Sequence, residues 1–365
     1  MTFRGSVNLE QMKTTVKTKW TNVKKKNDQY KHLHLRQQIV DSCGYFYWLL
    51  EKNFSIDDHV QIYDCKPPKN QNELDDLCTE ICSQPLSENK SPWITLIFPL
   101  DDSFGDEPRY VVFFRLHHCM GDGVNLTQML NRCVLDEKHL NILTPNLEKK
   151  FSIKTLLTTF FYFPKYALDT IPNKELNILH GPPQTGKRFF RHLTSYSLPR
   201  VKKIGKATGA TINDLMVSCI AGALKKYFAE YDAPPVRDVH SIIPIATQSS
   251  SEEVGFKNNI SVSHIILALS DKTALARLKS TQRIMRKYNK KSPFYIFSYY
   301  VVKLFVNRLP YQITRLMFYL QDSTCIISNI PMQQSQCLAT NGDELLHCYV
   351  FPVHFDIMGK KFPPR

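Results

Sequence analysis

The sequence holds no apolar run approaching the roughly 18 residues that argue for a membrane span. Two segments come partway. LLTTFFYFPKYAL (156–168) is broken by Pro164 and Lys165, and SPFYIFSYYVVKLFVNRLPYQITRLMFYL (292–320) by Lys303, Arg308, Pro310 and Arg315. Aromatics mixed with Lys and Arg suit a helix lying in a lipid interface, and they also suit a domain core. A membrane role, if present, is therefore expected to be peripheral. No secretory signal opens the chain, because Met1 to Trp20 is polar and charged. The ten cysteines contain no Cys-x-x-Cys pair, Cys78 and Cys82 being the closest two. They are read as reduced thiols on the cytosolic side of any membrane. Internal repeats and low-complexity tracts are also missing. So are recognised nucleic-acid modules and basic-aromatic RNA motifs, which removes nucleic acid as a partner despite a formal net charge of +14.

What is present fits a globular protein of two domains. The 365 residues are 43% hydrophobic, enough for a sizeable core. The positive charge, partly clustered at Lys24-Lys25-Lys26 and Lys202-Lys203, suits an acidic partner such as an anionic membrane surface, or simply solvated faces. RYVVFFRLHH (109–118) reads as a buried strand, followed by a Gly121-Asp122-Gly123 turn and a helix in VNLTQMLNRCVL. A polar connection then leads through the aromatic segment at 156 to HGPPQTGKRFFRH, and the domain boundary falls between about 145 and 190. The second half opens on a capping-box-like start at Thr211 and Asp214. Leu215, Met216, Cys219, Ile220, Ala223, Leu224, Tyr227 and Phe228 then form the expected core-facing stripe of a helix. Strand-like runs follow at 239–247, 259–269, 323–330 and 347–353, so strands and helices interleave in both halves and the class is α/β or α+β.

GPPQTGK (181–187) imitates a phosphate loop but fails it. Arg188 stands where a magnesium-binding hydroxyl is needed, Pro182 and Pro183 remove two backbone donors, and no hydrophobic strand precedes it.

RLHHCMGDGVNL (115–126) is the stretch that carries chemistry. If the strand continues, His118 shares a face with Leu116, Phe114 and Val112, and His117 points the other way, so the pair does not chelate one metal. A histidine on an apolar face is usually a core residue, and Asp122 before a helix is usually an N-cap. Together, however, they fit a general base. An apolar wall disfavours imidazolium and keeps His118 able to accept a proton near pH 7. The Gly-Asp-Gly turn lets the loop pack tightly, and Asp122 fixes it. Such a base, without an activated serine or cysteine, suits direct attack by a bound hydroxyl on an activated acyl group. Cys119 is the competing nucleophile, but no activating partner is evident.

HHCMGDG resembles the HHxxxDG motif of acyl-CoA-dependent acyltransferases of the chloramphenicol-acetyltransferase-like superfamily. Its surroundings are similar to the wax ester synthase/diacylglycerol acyltransferase family. FSIDDHV (54–60), QPLSENKSPW (84–93), GATINDLMVSCIAGALKKY, SIIPIAT, KNNIS (257–261) and SNIP (328–331) follow that family's segments in order. Lys257 stands where the family has glycine, Met332-Gln333 replace Gly-Pro, and the C-terminal lobe reads as lacking its last strand and helix.

The resemblance implies two chloramphenicol-acetyltransferase-like lobes, each a mixed sheet with helices, and an active-site channel between them. The lobes are placed at 1–145 and 191–365, joined by a connection at 146–190. It implies that His118 is the base, that His117 supports the geometry and that Asp122 holds the loop. Asn258 is expected as an oxyanion donor or positioning group, with Asn259 as the substitute if the register slips by one. Gly123 and Asn213 are expected at or near the substrate. The implied substrates are acyl-CoA, as co-substrate, and a lipid alcohol, giving a wax ester or a triacylglycerol with no resident cofactor or metal. A membrane or lipid-droplet surface on the cytosolic face of the endoplasmic reticulum or plasma membrane is the implied setting. The competing expectation is a non-catalytic lipid-binding relative of the same fold.

Overall fold

The computed structural model describes residues 1–136, 153–154, 157–162, 177–179, 189–193, 195–231, 239–246, 255–258, 260–287, 296, 299–300, 308–313, 323–330 and 337–351. The GPPQTGK segment lies outside the described residues, as do Asn259, Met332 and Gln333. The N-terminal part runs β1 (Thr2–Arg4), α1 (Leu9–Val16), β2 (Gln37–Ser42), β3 (Tyr45–Leu50), β4 (Val60–Ile62), α2 (Gln71–Ser83), β5 (Trp93–Pro99), β6 (Arg109–Leu116) and α3 (Gly123–Val134). The remainder supplies α4 (Leu198–Thr208), α5 (Ile212–Glu230), β7 (Val239–Ala246), β8 (Ile260–Leu267), α6 (Ala274–Lys287), β9 (Cys325–Ile326), β10 (Cys337–Leu338) and β11 (Glu344–His347).

The first sheet has the order β10-β11-β1-β6-β5-β4, with β4 parallel to β5 and the other pairs antiparallel. Its centre is β6, whose run of valines and phenylalanines favours a pleated, two-sided burial. On one face, Leu74, Cys78 and Ile81 of α2 pack on Leu96, Phe98, Val111 and Phe113. Their spacing of four and then three residues is one helix stripe. On the other face, Ile97, Tyr110 and Val112 meet Val16, Trp20 and Met129.

Two strands of this sheet come from the far end of the chain. β11 pairs with β1 and β10 with β11, so residues 337–347 belong to the first sheet although the sequence reading put 191–365 in one lobe. The Tyr110 hydroxyl donates to Asp343 at 2.7 Å and ties β6 to the turn before β11. The second sheet, β8-β7-β9 among the described residues, is also mixed: β7 is antiparallel to β8 and parallel to β9. The α/β two-lobe architecture is thus present, with the lobes knitted by a strand exchange that four-residue and two-residue strands do not announce in sequence.

The capping box on α5 forms as read, Thr211 N–H donating to Asp214 at 2.8 Å and Asp214 N–H to the Thr211 hydroxyl at 3.1 Å. The stripe on that helix is different. Asp214, Val217, Ser218, Ala221 and Phe228 face the core, while Met216, Cys219, Ala223 and Tyr227 are exposed. Apolar residues run round the whole helix, so periodicity could not choose the face.

On β8, burial and the nearby His240 lower the His264 pKa from 6.5 to about 4. The unfolded chain then binds the proton first, so stability is present above about pH 6.5 and is lost as pH falls towards 4. Allowing for partial exposure, the loss is on the order of 2 kcal/mol. Urea unfolding of His264→Gln should therefore show a shallower decline from pH 6.5 to 5 than the wild type. Parallel profiles would contradict this assignment.

Candidate active site

β6 stops at Leu116, one residue before the histidine pair. There, the His117 N–H donates to Pro92 O at 2.9 Å, and Trp93 is paired with Leu116. His118–Met120 then form a single 3-10 turn. The strand alternation expected to place His118 with Phe114 and Val112 therefore ends too early. His118, part-buried, opens the turn, and His117 caps it: the His117 Nδ1 accepts from Cys119 N–H at 3.2 Å. Desolvation first, and the neighbouring His118 second, lower the His117 pKa. Its lone pair is thereby kept available for that cap. Burial pushes the Cys119 thiol up to about 12, so it stays protonated and is no nucleophile at neutral pH.

Asp122 is buried at the start of α3. One oxygen accepts from Val124 N–H at 3.1 Å and Asn125 N–H at 2.9 Å; the other accepts from the Asn125 amide at 2.7 Å. This N-cap satisfies two of the backbone donors that a helix start leaves without an intrahelical partner. Gly121 has φ 174, an extended conformation open to any residue. Its importance is space. A Cβ there would lie 2.9 Å from Leu126 and 3.4 Å from the Lys257 carbonyl, and a Cβ on Gly123 would lie 2.6 Å from Ile330.

Those two close approaches bring the second half of the chain to the loop. Asp122 N–H donates to Lys257 O at 3.1 Å. The Asn258 amide donates to the carbonyls of His118 at 2.9 Å and Cys119 at 3.2 Å. Asn258 thus reaches His118 across 140 positions of sequence, as expected, but its N–H groups are directed at loop carbonyls instead of an open oxyanion position. Phe256, two residues earlier, is buried between Trp20 and His32, both edge-to-face at 5.5 Å. Lys257 does not adopt positive φ, so lysine in place of glycine imposes no left-handed strain. Asn213, exposed at the start of α5, accepts from the Asn329 amide at 2.5 Å. Asn213 therefore joins α5 to the 323–330 segment. Asn329 and Ile330 lie in the SNIP segment of the motif reading, whereas Phe256, one residue before KNNIS, is a contributor that reading missed, and no periodic pattern marks it.

Behind the loop, His59 Nδ1 donates to Trp93 O at 2.8 Å, and the imidazole lies flat on the Trp93 ring at 4.4 Å. The segments FSIDDHV, SPW, HHCMGDG, Lys257-Asn258 and SNI are therefore in one chain of contact. No His/Cys/Asp/Glu group fit to hold a metal occurs among the described residues. A part-buried imidazole on a backbone clamped from both lobes is equipped to exchange a proton at a fixed position.

Comparison with known proteins gives the family and the fold. Rv3087 and tgs2 of Mycobacterium tuberculosis strain H37Rv are provisionally named as diacylglycerol O-acyltransferases. The first is 24% identical over 266 residues, covering 64% of this chain and 55% of the relative. The second is 22% identical over 231 residues, covering 56% and 50%. The chain thus spans about half the length of these relatives. Among solved structures, the wax ester synthase/diacylglycerol acyltransferase from Marinobacter aquaeolei VT8 shares the fold, with TM-score 0.58 and 16% identity over 94% of this chain and 78% of that one. The first condensation domain of the CDA synthetase follows at TM-score 0.51 and 12% identity, covering 91% and 74%. Residues 8–152 match the wax ester synthase/diacylglycerol acyltransferase catalytic domain and residues 256–359 the C-terminal domain, and with these two matches in sequence order, the chain belongs to that family.

Proposed function

We propose that the protein is an O-acyltransferase that moves a long-chain acyl group from acyl-CoA to the hydroxyl of a fatty alcohol or a diacylglycerol. The observation that carries this reading is the clamp on the histidine loop, in which Asn258 holds the carbonyls of His118 and Cys119 from the other lobe. His118 takes the hydroxyl proton of the acceptor as its oxygen attacks the thioester carbonyl. The C–S bond then breaks, and the departing CoA sulfur takes the proton back from His118, leaving the ester and free CoA. Asp122 and His117 keep the turn in shape, and Asn258 is a positioning residue.

The products are a wax ester or a triacylglycerol, made without a resident cofactor. Both acceptors are water-insoluble, which suits a peripheral protein on the cytosolic face of the endoplasmic reticulum or plasma membrane, or on a lipid droplet. Purified protein should be given palmitoyl-CoA with hexadecanol and dioleoylglycerol separately and together, and the neutral lipids resolved. Ester from at least one acceptor is expected. No ester from either sinks the proposal and favours a lipid-binding protein without turnover.

Asn258→Ala removes two neutral hydrogen bonds, so kcat should fall about tenfold or somewhat more with KM little changed. A rise in KM at constant kcat would instead mean that the amide touches the acceptor.

A further inference from the structure

β2 and β3 form a two-stranded hairpin outside both main sheets, in register from Gln37 against Leu50 to Ser42 against Tyr45. A strand with one buried face shows alternate burial. β3, YFYWLL, does not: Tyr45, Phe46, Tyr47, Leu49 and Leu50 are between 40% and 60% exposed. Only Trp48 is partly covered, with its ring 4.5 Å from His34. A lone hairpin is marginal in water, and one that opens both apolar faces lacks the burial that stabilises a sheet.

The hairpin is nevertheless held firmly. Tyr311 N–H donates to Gly44 O at 2.9 Å at its tip, where Phe46 lies 5.2 Å from the Tyr311 ring. At its base, Ser91 Oγ is 3.0 Å from the carbonyls of both His34 and Gln37, and Ser91 N–H donates to Glu51 at 2.9 Å. Ser91 precedes Pro92, whose carbonyl takes the His117 N–H. The exposed hairpin is therefore bolted to the strand end that borders the histidine loop.

Its charge pattern indicates what covers it. Asp41 is the one charged side chain on the two strands. Exposed Lys52 follows β3. At the base, the Arg36 guanidinium lies 4.3 Å over Tyr30, which brings up the turn bearing exposed Lys24, Lys25 and Lys26. Tyrosine, tryptophan and leucine beside lysine are what a lipid headgroup boundary accommodates. A second copy seated symmetrically on the same face would bring two lysine clusters together.

We propose that the β2–β3 hairpin docks the protein on an anionic phospholipid bilayer, entering the headgroup–acyl boundary next to the site where a lipid alcohol would be acylated. This rests on the proposed acyl transfer for its purpose, though not for its test. Full-length protein is mixed with phosphatidylcholine vesicles containing phosphatidylserine and brominated acyl chains. Trp20 and Trp93 are fully buried, so bromine quenching should report Trp48 and should vanish in Trp48→Phe. Vesicle binding should drop about tenfold or more in the triple variant Phe46→Ser, Tyr47→Ser, Leu49→Ser. Binding without Trp48 quenching in the wild type overturns the proposal without recourse to a variant. So does a folded triple variant that binds normally, or a wild type that ignores vesicles and dimerises through this hairpin. Acyl transfer in detergent micelles separates the two ideas. Transfer intact with no quenching sinks the hairpin alone, whereas quenching without transfer sinks the enzyme alone.

Discussion

His118→Ala should lower kcat for ester formation by about 10²- to 10⁴-fold, the range lost when a general base is removed. Folding should survive, because the backbone of the turn is held by the Asp122 cap and the Asn258 amide. His117→Ala is the control. It removes one cap hydrogen bond, about 1 kcal/mol of local order, and should cost far less turnover. Steady-state kinetics with a detergent-dispersed acceptor distinguish the two. Equal kcat for wild type and His118→Ala would end the mechanism, and a larger loss at His117 would reverse the assignment of roles.

Phe256→Ala should destabilise the protein by about 3 to 5 kcal/mol, as expected for truncating a buried phenylalanine, and should reduce kcat in the fraction that stays folded. The reason is the two-residue leash between Phe256 and Asn258. With the ring withdrawn from Trp20 and His32, nothing apolar seats the 255–258 segment against the first lobe, and the amide loses its place beside His118 and Cys119. Phe256→Leu fills much of the same volume and should recover most of both losses. Chemical denaturation and single-turnover rates on the same preparations test this. A stable, fully active Phe256→Ala would show that the 255–258 segment is seated by contacts other than the Phe256 ring.

The local signals in the sequence were legible where one physical cause dominates. The apolar run of β6, the Gly-Asp-Gly break, the helix after it and the Thr211–Asp214 capping box are each set by neighbours a few residues away. The end of β6 was not, since it depends on the Pro92 carbonyl meeting His117, a long-range pairing. β10 and β11 are too short to show a period, so their return to the first sheet was invisible. The β2–β3 hairpin escaped notice because its exposed faces break the alternation by which half-buried strands are recognised. At the site, residue identities carried the loop and the nearness of Asn258, but not the direction of its hydrogen bonds. An amide can donate to substrate or to backbone, and only placement decides which.

The central claim is group transfer, and transfer differs from hydrolysis in where the acyl group goes. Purified full-length protein should be incubated with palmitoyl-CoA labelled in the acyl chain and an excess of lipid alcohol, and labelled ester, labelled free fatty acid and released CoA quantified together. The account predicts ester and CoA in equal amounts, with little free acid, and loss of both in His118→Ala. CoA released with the label in free fatty acid, or no release above a protein-free blank, would contradict it.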